Sequence, residues 1–323
     1  MDVVVTYLDN LFMDQVYLAA APYTTAALRG AATSPDSLGL PRDHILRQSI
    51  TVFLILCIGA HIFYFITATL SYYFVYDHEQ MKHPKFLKNQ VRMEIASAVQ
   101  AFPLMSLLTV PWMVGEIRGH SRVYSELYRS EETKLYDFAF IAFSILWFLV
   151  FTDFGIYWIH RIEHHRLFYA RIHKPHHKWI IPTPFASHAF HPLDGYAQSI
   201  PYHLFVYLFP MNKFVYLGLF AVVNVWTVMI HDGEYLASHP AINGAAHHTI
   251  HHLQFNYNYG QYFTVWDRVF GSHRNPTPEI EQRELRNSAQ VRAMQSTEVD
   301  EMLPVIEGKS TSAACTRVRC PHM

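Results

Sequence analysis

Apolar residues along this chain gather into long runs rather than alternating with polar ones. Ile50 to Tyr76 reads ITVFLILCIGAHIFYFITATLSYYFVY, without a single Asp, Glu, Lys or Arg. A helix needs about 20 such residues to cross a bilayer, so this run predicts a span. Residues 95–115, IASAVQAFPLMSLLTVPWMVG, are equally uncharged, and Pro103 and Pro111 predict a kink. Phe138 to Ile159 forms a third run, interrupted only by Asp153. Residues 195–230 are apolar again but carry the break Met-Asn-Lys at 211–213. Each arm is slightly short for a full crossing. Taken as one span, the region would leave its two histidine-rich flanks on opposite sides of the membrane. Taken as a shallow or partly inserted hairpin, it returns the chain to the side it left. The hairpin is preferred, because the histidine chemistry needs both flanks together. The pattern predicts an all-α integral membrane protein with about four to five membrane or membrane-embedded helices.

The polar stretches divide the chain. Residues 1–49 form a mixed N-terminal segment with a turn-rich patch, ATSPDSLGLPRD. Residues 50–136 hold the N-terminal membrane helices, and 137–275 a histidine-rich unit. Residues 276–323 read as a polar tail, a short helix followed by a disordered end. The opening MDVVVTYLDNLFMDQVY lacks the basic region of a signal peptide, so a later apolar segment is expected to direct membrane insertion. Charged residues make up 16%, against about 25% in soluble domains, which also points to the membrane. The net charge of −1 argues against a nucleic-acid partner. Three cysteines, Cys57, Cys315 and Cys320, do not make a disulfide framework. Loop 77–94 and segment 160–194 are rich in Lys and Arg, which suggests the cytosolic side. The bias is slight, since loop 116–136 also holds four basic residues.

The 22 histidines change the picture, because fifteen of them fall between His160 and His252. They form three clusters just outside apolar runs. The first is His160 and His164, followed by His165. The second is His173, His176 and His177. The third is His248, His251 and His252, preceded by His247. Residues three or four apart share a helix face, so each cluster can converge on a point. Imidazole suits zinc, copper, iron and nickel, and a tetrahedral zinc takes only four ligands. Eight imidazoles in three groups suit two ions, which predicts a histidine-rich helical cap holding a di-metal site on the cytosolic face. The segment HRIEH also fits the H-x-x-E-H pattern of zinc peptidases, with Glu163 as base. That reading leaves two clusters unused, so Glu163 is expected to support a ligand or to stand as a solvated charge.

Four segments carry a resemblance: DFGIYWIHRIEHHRLFYARIHKPHHKW, TPFASHAFHPLDGYAQSIPYH, NVWTVMIHDGEYL and INGAAHHTIHHLQFNYNYGQYFTVWDRVFGSHRNP. They resemble the fatty acid hydroxylase superfamily of membrane non-haem di-iron oxygenases, and within it the sterol C-5 desaturases (lathosterol oxidases). The match covers most of 150–276 and makes 137–275 a fatty acid hydroxylase-like catalytic domain. The histidine boxes specify only the superfamily; ASHAFHPLDGYAQSIPYH and NYNYGQYFTVWDR point to the sterol branch. The resemblance implies that His160, His164, His173, His176, His177, His248, His251 and His252 bind the metals. Superfamily members also use histidines between the second and third boxes. His231, directly after an apolar run, ranks first, ahead of His188 and His191. His165 and His247 adjoin ligands and are further candidates. Asp153, two turns before His160, can accept the second ring N–H of a ligand histidine or pair with a nearby arginine. The tyrosines of NYNYGQYF can line a substrate channel, shape the loop beneath the third box, or belong to an interfacial aromatic belt.

The resemblance further implies two iron ions, dioxygen as co-substrate, and electrons from NAD(P)H through cytochrome b5 and its reductase. The chain has no segment resembling a haem or nicotinamide domain, so the donor is expected to be a separate protein. The implied reaction places a C-5(6) double bond in a Δ7-sterol at the endoplasmic reticulum membrane, with the histidines facing the cytosol. A hydroxylase or methyl oxidase of the same superfamily stays open, since the metal boxes do not separate the two outcomes. A membrane zinc transporter or metal-binding protein is the rival of a different class, and the near-absence of charge from the spans counts against it.

Overall fold

The computed structural model describes residues 2–20, 40–235 and 239–306. Residues 32–39 of the turn-rich patch therefore lie outside the described residues, as does the end of the tail beyond residue 306. Described residues are mostly helical, with almost no strand. A short helix, α1 (Asp2–Leu8), precedes three long ones: α2 (Ile45–Phe74), α3 (Gln90–Ile117) and α4 (Lys134–Glu163). These three are long and apolar enough to cross a membrane. Each runs past its apolar stretch at both ends or one, and α3 continues through Pro103 and Pro111 without interruption.

The 195–230 region folds as α6 (Pro192–Leu208) and α7 (Lys213–Met229), preceded by the single turn α5 (Lys174–His177). The break between them is specified locally. The chain leaves α6 extended at Phe209, and Asn212 caps α7 by accepting the backbone N–H groups of Phe214 and Val215. There Met211–Asn212 pairs in parallel with Val123–Tyr124 of the α3–α4 connection. The two connections thus share one end of the bundle, and all the histidine segments share the other. Each arm has 17 residues, or roughly 25 Å of helix against a hydrocarbon core of about 30 Å.

Two cores hold this frame. Phe148 and Ile156 of α4 pack with Tyr202, Phe205 and Val206 of α6 and with Tyr216 and Val223 of α7. Tyr64 and Ala68 of α2 pack with Ala98 and Phe102 of α3 and with Phe185. Polar ties then join the N-terminal spans to the segment after the second histidine cluster. Tyr64 donates to the Phe185 carbonyl at 2.9 Å, Gln90 to the Ile181 carbonyl at 2.7 Å, and Thr183 to the buried Glu94.

The tail departs from expectation. Residues 276–306 are largely helical, ending in the 18-residue α9 (Ala289–Ile306). Val299 and Met302 bury against Ile250 and Leu253 of α8 (Ala245–Gln254), which carries the third histidine cluster. The tail is polar on average, yet it spaces enough apolar residues to cover this one face. Asp77, fully buried, fastens it through Arg283 at 2.9 Å, Arg286 at 3.2 Å and Asn287 at 2.8 Å.

Candidate metal centre

Four pieces of chain deliver imidazoles to one place. The last turn of α4 presents His160 and His164. A π-helical turn, Tyr169–His173, leads into α5 and presents His173, His176 and His177. His231 follows the end of α7, and α8 presents His248, His251 and His252. Eight of the nine are buried, and His164 is half-buried.

Their ring nitrogens fall into two groups, each within 4.8 Å. His160, His164, His173, His177 and His251 make one; His176, His231, His248 and His252 make the other. Within the first group Nε2 atoms face one another at 3.1 Å (His160–His173), 3.1 Å (His164–His177) and 3.0 Å (His177–His251). Within the second they do so at 3.4 Å (His176–His231), 3.0 Å (His231–His248) and 3.1 Å (His248–His252). Two imidazoles bound to one ion at about 2.1 Å, roughly 90–109° apart, place their nitrogens about 3.0–3.4 Å from each other.

The outer ring nitrogens decide the tautomers. His160 Nδ1–H donates to the Tyr259 carbonyl at 3.0 Å, and His251 Nδ1–H to the Tyr257 carbonyl at 2.7 Å. His231 Nδ1–H donates to the Thr227 carbonyl at 2.7 Å, and His173 Nδ1–H to the Asp194 carboxylate at 2.8 Å. A ring protonated on Nδ1 keeps a lone pair on Nε2. His160 and His173 therefore point two lone pairs at each other across 3.1 Å with no proton between them. Such an arrangement repels unless a cation sits there, and this fits a metal-binding role for the group. Burial, reinforced by neighbouring imidazoles, pulls His248, His251 and His252 well below the usual histidine range. Burial takes His231 down to about 4. Neutral imidazole is the ligating form.

Supporting residues differ in part from the expected ones. Asp153 does not receive a ring N–H. Its Oδ1 instead accepts the backbone N–H groups of Gln261 at 2.9 Å and Tyr262 at 2.6 Å. The geometry is physically sound: α4 passes directly beneath the loop 256–263, whose amides need acceptors. Asp267 does the same for Tyr259 and Gly260, each at 2.9 Å. A Cβ at Gly260 would lie 2.5 Å from the Phe263 carbonyl, so only glycine fits there. This loop supplies the two carbonyls that orient His160 and His251. Glu163 stands beside the first group, 3.8 Å from His173 Nδ1, and accepts from Gln198 Nε2 at 3.1 Å. The residue that holds His173 is Asp194, which sequence reasoning did not single out. Its signal was an acid in the first turn of the helix that follows HAFHP.

The remaining candidates lie apart from both groups. His165 is exposed. His191 caps α6, accepting from the Leu193 amide at 3.2 Å. His188 contacts Ser187 Oγ at 3.0 Å and Asn224 Oδ1 at 3.2 Å. His247 is buried against His273.

A cavity of about 520 Å³ leads from the histidines down between α2, α3, α4, α6 and α7. His160, His176, His231 and His248 form its inner end, and Phe63, Phe102, Ile156, Phe190 and Phe220 are among its apolar walls. Its volume lies in the range of about 300–1,000 Å³ typical of small-molecule sites.

Residues 145–272 match the fatty acid hydroxylase family. The chain is 46% identical to the Delta(7)-sterol 5(6)-desaturase erg3A of Aspergillus fumigatus, with 96% of each chain covered. It is 51% identical to a probable Delta(7)-sterol 5(6)-desaturase of Neurospora crassa, over 83% of this chain and 76% of that one. It is 56% identical to the lathosterol oxidase of Homo sapiens, over 73% of this chain and 79% of that one. No solved structure matches it. Two groups of converging imidazoles at the end of an apolar cavity thus stand in a sequence closely related to named desaturases throughout its length, and the chain belongs to the Delta(7)-sterol 5(6)-desaturase and lathosterol oxidase family.

Proposed function

We propose that this protein is a C-5 sterol desaturase, placing a C-5(6) double bond in a Δ7-sterol during sterol biosynthesis. The observation that carries the reading is the junction of the two histidine groups with the apolar cavity. The activities named for its relatives agree with it. Each group would hold one iron: His160, His164, His173, His177 and His251 the first, His176, His231, His248 and His252 the second. Iron supplies redox chemistry and dioxygen activation, for which zinc has no accessible couple.

Atoms and electrons balance in the overall reaction. The sterol gives up one hydrogen from C-5 and one from C-6, two protons and two electrons in all, and the other two electrons of those bonds become the π bond. Dioxygen takes the two hydrogens together with two further electrons and two protons, and leaves as two waters. Cytochrome b5, reduced from NAD(P)H through its reductase, is the proposed source of the further electrons. The protein binds and orients: walls of Phe102, Ile156 and Phe220 take the ring system and keep water out. Asp194, Tyr257, Tyr259 and Thr227 fix the imidazoles so that the donor atoms need no rearrangement. The proposed location is the endoplasmic reticulum membrane, with the histidine end on the cytosolic face.

Complementation tests the reading. Cells lacking their C-5 sterol desaturase should regain Δ5,7-sterols with the wild-type chain and not with His176→Ala. A wild type that is expressed and membrane-integrated yet yields an alcohol, or no sterol product, would overturn it.

A further inference from the structure

In a Δ7-sterol the 3-hydroxyl lies two carbons from C-5. Whatever recognises that hydroxyl must therefore stand at the histidine end of the cavity, not at its far end. Among the polar side chains that line the cavity, Gln198 of α6 is held in one orientation. Its Nε2 donates to two carboxylates, Asp194 Oδ1 at 2.6 Å and Glu163 Oε2 at 3.1 Å. Carboxylate oxygens accept, so the amide cannot be flipped without setting oxygen against oxygen. Oε1 is thereby turned away from both acids. Gln198 lines the cavity, and its Oε1 has no donor among the described residues and is not sealed off among the buried unpaired atoms. The result is a fixed, unpaired acceptor in an apolar chamber, one helical turn from the aspartate that holds His173.

Gln261 offers a useful contrast. Its Nε2 donates at 3.1 Å to Thr227 Oγ1, whose own proton goes to the Val223 carbonyl at 2.9 Å. Its amide is thus oriented by a single neutral hydroxyl, whereas Gln198 is oriented by two acids.

We propose that Gln198 Oε1 accepts the hydrogen bond of the substrate's 3-hydroxyl and so sets both the choice of a sterol alcohol and the position of C-5 and C-6 beneath the metals. This rests on the sterol reading above. An acceptor that a bound sterol seals from water and leaves unpaired is costly, and sites built to bond a hydroxyl reject analogues that lack it. The binding of a radiolabelled Δ7-sterol and of its 3-deoxy analogue to the purified full-length protein in detergent is the direct test. Wild type should bind the alcohol about 10–100-fold more tightly than the deoxy compound. Gln198→Met, close in volume, should bring the two affinities within about threefold of each other by weakening the alcohol alone. Gln261→Met should keep the wild-type ratio. Iron content guards against damage to His173, since Gln198→Met should retain it. Equal binding of both compounds by wild type would overturn the proposal. So would a Gln198→Met protein that keeps its iron and the full preference. Wild type that prefers the alcohol but forms no diene would leave Gln198 in this role and refute the desaturase reading instead.

Discussion

The two histidine groups share one cap but are built differently. In the five-histidine group, three rings are braced from outside, by Asp194, Tyr257 and Tyr259. In the four-histidine group one ring is braced, His231 by the Thr227 carbonyl, while the outer nitrogen of His176 has no partner among the described residues, as is also true of His177 in the first group. Exposure to the cavity runs the other way. Three of the four histidines line it, against His160 alone of the five. The contrast suggests a division of labour: one group is held rigid by the fold, and the other opens onto the space where substrate would sit.

Removing a ligand from either group should do the most damage. His173→Ala and His248→Ala should each lower diene formation more than about 100-fold, exceeding the loss usual for outer-shell partners. Iron content separates them from a general collapse, with about one ion expected to remain per chain in each variant. Loss of both ions from either single substitution would show that the groups are not independent. Next in size is the bracing itself. Asp194→Asn should reduce activity about 10–100-fold, because a neutral amide accepts the His173 Nδ1–H more weakly than a carboxylate does. Glu163→Gln should cost less than Asp194→Asn in the same assay, since Glu163 lies 3.8 Å from that nitrogen.

The histidines were legible in the sequence because their signal is local. Spacings of three and four put His160 with His164 and His248 with His251 on single faces, and a ring just beyond an apolar run marked His231. The hairpin was legible for a similar reason, since the break at 211–213 interrupts the run that contains it. What was hidden depends on distant partners. Periodicity places Asp153 two turns from His160, but only the fold reveals that amides 108 residues away take its carboxylate. The division of nine rings into five and four splits the second and third clusters: His176 and His177 are neighbours in sequence and belong to different groups, as do His251 and His252. The tail was read from its polar average, which conceals that Val299 and Met302 meet α8 on one face.

That face gives a prediction about stability rather than chemistry. Val299 is fully buried against the helix that carries histidines of both groups. Val299→Ala should destabilise the protein by about 1–3 kcal/mol, seen as a lower midpoint of thermal unfolding in detergent. Activity per folded molecule should be kept at low temperature, because neither the bracing contacts nor the cavity involve this residue. A fall in activity without a fall in stability would mean that the tail tunes the third cluster directly.

The smallest expected effect comes from two adjacent histidines. His164 and His165 both follow the same apolar run. α4 ends at Glu163, so His164 still turns inward, within the five-histidine group and 3.1 Å from His177. His165 falls on the outside of the turn, exposed, with one long contact of 3.4 Å from the Leu167 amide to its Nδ1. Such a contact adds little. His165→Ala should therefore leave activity within about twofold and iron content unchanged, as surface substitutions usually do, while His164→Ala should deplete iron from the first group. Equal loss from both would mean that the turn after α4 is wound differently and that His165, not His164, completes the five-histidine group.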